Sequence, residues 1–115
     1  IMMSNAGAFA FYQVGPGYVV PTTSNFGANK WHNVVATRIG TTVTVYVDSA
    51  SIATATNSNT FGTTTGKLNI GIDGNNSSEP FTGNISNVLI YKGKGLSSAE
   101  VLQNYNAIKS RFGLS

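Results

Sequence analysis

The stretch Trp31-His32-Asn33-Val34-Val35-Ala36-Thr37-Arg38-Ile39, followed by Gly40-Thr41 and by Thr42-Val43-Thr44-Val45-Tyr46-Val47-Asp48, decides how this chain reads. Two valine-rich runs flank a two-residue turn, the pattern of an antiparallel hairpin. Side chains alternate across a strand, so Val43, Val45 and Val47 share one face. Thr42, Thr44, Tyr46 and Asp48 take the other. A strand so divided buries its valine face.

Working outward, Ala8-Phe9-Ala10-Phe11-Tyr12-Gln13-Val14 and Tyr18-Val19-Val20 are strand-like runs separated by Gly15-Pro16-Gly17, a turn by composition. After the hairpin, Ile52 to Ala55 reads as a weak edge strand and the rest of 49–66 as loop. Lys67-Leu68-Asn69-Ile70-Gly71-Ile72 alternates again, and Asp73-Gly74-Asn75-Asn76-Ser77-Ser78-Glu79-Pro80 is a loop. Asn84-Ile85-Ser86-Asn87-Val88-Leu89-Ile90-Tyr91 is apolar on both faces, which predicts a strand inside a sandwich or under a neighbour. A helix over 97–110 closes the chain. Ser97-Ser98-Ala99-Glu100 has capping-box spacing, and Leu96 with Val101 forms a hydrophobic staple. Val101, Tyr105 and Ile108 recur at i, i+4 and i+7, one apolar stripe to dock on a sheet, and Gly113 is the stop. The expected fold is all-β, an antiparallel sandwich with one C-terminal α-helix, in a single domain over 1–115.

Composition narrows the chemistry. Gly, Thr, Asn and Ser make up 51 of the 115 residues, while charged residues are 10%. With no cysteine, disulfides and thiolate chemistry are excluded. No apolar run approaches the ~20 residues of a membrane helix. The opening Ile1-Met2-Met3-Ser4-Asn5 lacks a basic segment ahead of an apolar one, so it does not read as a signal peptide. A start on Ile reads instead as a segment of a longer polypeptide. The net charge of +3 is local, with Lys92, Lys94, Lys109 and Arg111 set against Glu100 at the C-terminal end. That excess, without interleaved exposed aromatics, does not point to nucleic acid.

Several of these segments, in this order, resemble the second half of a laminin-G-like, concanavalin A-like jelly roll. They are Trp31 to Ala36 leading to Val45-Tyr46-Val47-Asp48, Leu68-Asn69-Ile70-Gly71, Phe81-Thr82-Gly83-Asn84 through Tyr91, and Leu96 to Val101. The tail from Tyr105-Asn106 to Arg111-Phe112-Gly113-Leu114 resembles versions carried on phage and marine-virus structural proteins. The resemblance implies a jelly roll with more strands ahead of Trp31 than residues 1–30 supply, hence either an abbreviated sandwich or one incomplete at its N-terminus, its missing strands coming from elsewhere in the polypeptide or from a neighbouring subunit. It also raises Ca2+ and sugar binding at a loop rim.

The residues temper those implications. Glycoside hydrolysis generally needs two carboxyls flanking the bond, whereas Asp48, Asp73, Glu79 and Glu100 are isolated in sequence. No catalytic role is expected. His32 shares a strand face with Val34 and Ala36 and reads as packed or hydrogen-bonded, and Trp31 reads as a sandwich anchor. Asp73, Asn75, Asn76 and Glu79 form the oxygen-rich loop and, with Tyr18, are the candidate ligand contacts. Asp48 and Asp73 are the candidate metal ligands; hard cations want six to eight oxygens and several charges, so any Ca2+ site is a weak one. Leu89 and Tyr91 are candidate interface residues. Asn75, Asn76 and Asn84 each begin an Asn-x-Ser sequon, which matters only on a eukaryotic secretory route.

The expectation is a non-catalytic structural and adhesive module of an extracellular assembly. A virion or tail-fibre protein fits best, with other subunits as partners and glycans as candidate ligands. A secreted carbohydrate-binding domain appended to a larger enzyme is the alternative. A protein-binding module like the laminin-G domains of adhesion proteins is a third reading.

Overall fold

The computed structural model describes residues 1–3, 7–13, 17–21, 25–60, 68–72 and 80–115. Among the described residues six strands precede a helix: β1 Met2–Met3, β2 Phe9–Gln13, β3 Gly17–Pro21, β4 Val34–Ile39, β5 Thr42–Val47 and β6 Ala50–Thr56, then α1 Ser98–Ile108. They form two three-stranded antiparallel sheets, each in sequence order.

The deciding hairpin is in place. Ile39 pairs with Thr42 across Gly40-Thr41, and the register runs back to Val34 opposite Val47. Val43 and Val45 are fully buried, with Phe11 of β2 and Ala53 and Ala55 of β6 among the side chains packed on them. The first sheet thus covers the valine face of β5. Tyr46, on the opposite face, is buried as well. It joins Leu96 and Val101, with Val35 beside them, in a second cluster where the C-terminal segment docks. Burial on both faces makes β5 the central strand of this region.

The turn from β5 to β6 is Asp48-Ser49, with Val47 paired to Ala50. Both turn residues have positive φ, 50° and 69°. That is the geometry of a type I′ hairpin turn, which matches the right-handed twist of the strands it joins, and Asp tolerates it better than most residues.

The helix follows its sequence signals. Ser97 is the N-cap, its hydroxyl accepts from the Glu100 N–H, and Glu100 reaches back to the Ser97 N–H. Val101 and Tyr105 are its buried residues. Beyond Ile108 the chain tightens into a 3-10 turn, Lys109–Phe112, and Gly113 ends it in the left-handed conformation at φ 65°.

Residues Ile1–Asn59 with Lys92–Ser115 make one unit and Thr60–Tyr91 a second. In the second unit the only strand-type pairing among the described residues is one bridge, Ile72 to Pro80, beside a Phe81 N–H donated to the Gly71 carbonyl at 2.7 Å. Here two expectations fail. Leu68–Ile72 makes only that bridge, and 84–91 forms no strand. A strand exists only where a neighbour completes its hydrogen-bond ladder, and among the described residues 84–91 has none. Its apolar side chains are exposed rather than enclosed, Leu89 to 69%. The described strands therefore fall short of the complete jelly roll, while the antiparallel β class with one C-terminal helix stands.

Candidate functional site

His32 precedes β4 and Asp48 follows β5, and pairing of those strands brings the two together. His32 Nδ1 lies 2.8 Å from Asp48 Oδ2, and Nε2 lies 2.9 Å from the carbonyl oxygen of Phe26. The other oxygen of Asp48 accepts the Asn33 N–H at 2.9 Å, and the Asp48 N–H donates to the Asn33 carbonyl at 2.8 Å. Asp48 directly follows Val47, which pairs with Val34, so its carboxylate stands beside the residues just ahead of β4. Phe9 and Phe26 stand edge-on to the imidazole, with ring centres 6.3 and 5.9 Å away. At Asn33 the N–H goes to the Asp48 carboxylate rather than to a strand carbonyl, and β4 starts at the next residue, Val34.

A His–Asp pair at this distance invites comparison with hydrolytic triads. In those, the imidazole nitrogen remote from the carboxylate faces a nucleophile. Here it faces a main-chain carbonyl, which supplies neither nucleophile nor proton. The pair clamps the 25–33 loop onto the hairpin.

Trp31 departs from its expected place. It is 38% exposed, and its indole packs against Phe112 of the 3-10 turn, with centres 5.0 Å apart and planes tilted by 52°. The Arg111 guanidinium carbon sits 5.8 Å over the Phe112 ring. The strand that would have buried Trp31 begins three residues later, and nothing in the sequence couples position 31 to position 112.

Two further titratable groups, Glu100 and Tyr105, have structural roles. Glu100 is held down from 4.5 to about 2, first by its hydrogen bond from Lys94 and then by those from Ser97. Burial pushes the Tyr105 phenol up, and the charge of Asp48 adds to it; its hydroxyl donates to the Ser115 carbonyl oxygen at 2.8 Å.

A family model described as the concanavalin A-like lectin/glucanases superfamily matches residues 1–102. The chain belongs to that superfamily. A solved relative is the S-layer domain-containing protein (residues 221–444) of Clostridium thermocellum, at 14% identity and a TM-score of 0.51. The match covers 91% of this chain and 66% of that one, a likeness of fold. No curated protein matches.

The superfamily description raises glucan hydrolysis, and the resemblance drawn from the sequence raised metal binding. Of the candidate metal ligands, Asp48 has both oxygens engaged by His32 and Asn33, an arrangement that does not fit a hard cation needing many oxygens. No group of three or more His, Asp or Glu side chains converges among the described residues. Asp73, Asn75, Asn76 and Glu79 lie outside the described residues. Tyr18 lies in β3, with its side chain outside the described part. Leu89 and Tyr91 are exposed in the second unit.

Proposed function

We propose that this chain is a non-catalytic structural and adhesive module of an extracellular assembly, and that it binds glycans. The observation that carries this is the superfamily match over residues 1–102. The His32–Asp48 pair supports the non-catalytic part, because its remaining ring nitrogen meets the Phe26 carbonyl. Tyr18, Asp73, Asn75, Asn76 and Glu79 remain the proposed sugar contacts, where polar side chains suit hydroxyl groups. Leu89 and Tyr91 are the proposed contacts to other subunits. The relative named for an S-layer domain favours a cell-surface layer over the virion or tail fibre that the tail sequence suggested, for which the comparisons offer nothing. Because the same superfamily includes glucanases, a secreted carbohydrate-binding domain attached to an enzyme is the second reading.

A glycan array with light scattering tests the proposal. Binding to a defined sugar set together with self-association supports it. A monomer that binds sugars favours the second reading. Release of reducing sugar from a bound glucan, abolished in His32→Asn or Glu100→Gln, would overturn the non-catalytic assignment.

A further inference from the structure

We infer that Trp31, Phe112 and Arg111 form a stacking site for an acidic sugar residue, an inference that rests on the glycan-binding reading above. A tryptophan ordinarily contributes its large apolar area to a core. Trp31 instead stays 38% exposed while Phe112, 5.0 Å away, braces the indole. A braced, solvent-facing ring is a preorganised plate. The C–H face of a pyranose carries partial positive charge and meets the negative face of an aromatic ring favourably.

Charge decides which sugar. Arg111 is exposed and holds its guanidinium over Phe112, one ring beyond the indole. Lys30, exposed, neighbours Trp31 in sequence, and Lys109 lies over the Tyr105 ring in the preceding turn. Among the described residues none of these three cations pairs with a carboxylate, whereas Lys94 is paired with Glu100. A guanidinium presents parallel donors that match a carboxylate two-to-two. A uronic acid stacked on Trp31 would offer that carboxylate to Arg111. Single-stranded nucleic acid shares the stacking and charge chemistry, but it uses several successive aromatic platforms along a groove. Only one indole is presented here.

Trp31 is the chain's one tryptophan, so its fluorescence reports on this site in the intact protein. The probe is polygalacturonate, with its methyl ester as the neutral counterpart. Polygalacturonate should shift the Trp31 emission to shorter wavelength and shield it from acrylamide, and the ester should do so weakly. Arg111→Gln should melt like the parent yet bind about fivefold more weakly in affinity electrophoresis, as for a partly exposed charge pair. Retardation in the gel with unchanged Trp31 emission would overturn the site, as would an equal response to the ester or a stronger one to oligothymidylate. If neutral glycans bind on the array while Trp31 emission stays constant, glycan binding stands and this site falls. If no glycan binds in either assay, both fall.

Discussion

Gly95→Ala tests how the C-terminal segment is seated. A Cβ at position 95 would lie 2.1 Å from the main-chain oxygen of Arg38, 2.7 Å from Ile39 Cγ1 and 2.8 Å from the Arg38 carbonyl carbon. Carbon meets carbonyl oxygen comfortably at about 3.3–3.6 Å, so the segment or β4 must move by about 1.2 Å. No flexible side chain can absorb that, because the nearest obstacle is backbone. The next residue is Leu96, 7% exposed and packed with Tyr46 and Val101. Forced overpacking costs about 1–3 kcal/mol, and loosening Leu96 adds part of the 2–5 kcal/mol scale of a lost core leucine, so about 3 kcal/mol is expected. For a domain of this size that is a fall in Tm of roughly 12 °C. Circular dichroism at 222 nm during heating measures it. Gly93→Ala is the control: nothing lies within 4 Å of its Cβ, and only the left-handed φ of 79° is penalised, at about 1–2 kcal/mol. If Gly95→Ala loses no more than Gly93→Ala, the close approach to β4 is wrong.

Three further predictions follow from the same contacts. The folded state holds Glu100 near 2 against an ordinary 4.5, so its contribution is present above pH 4.5 and is lost as pH falls from there towards 2; Glu100→Gln should flatten the acid limb of the melting curve over that window. Asp48→Gly keeps the positive-φ turn but removes the acceptor from His32 and Asn33, and should cost about 1–2 kcal/mol and speed exchange of the Asn33 amide; unchanged exchange would contradict the clamp. Calcium should move the melting temperature little against EGTA, and a tight calorimetric site would contradict the expectation of weak binding.

The strands around Gly40-Thr41 and the helix were legible because their signals are local. Alternation of Val43, Val45 and Val47 needs no distant partner to be read, and neither do Ser97 with Glu100 or the Val101–Tyr105 stripe. Segment 84–91 shows the limit of such reading. Its composition suits a strand, but a strand is a relation between two segments, and no ladder partner stands among the described residues.

From its residues alone this chain announces an antiparallel β class, a capped helix against a sheet, and a scarcity of reactive groups. Only the folded form decides that an Asp at a hairpin turn reaches a His sixteen residues earlier, or that the one tryptophan meets Phe112 in the open. Periodicity and capping are written within a few residues. Contacts between distant positions depend on how strands register and where the chain reverses, and no short window of sequence carries that.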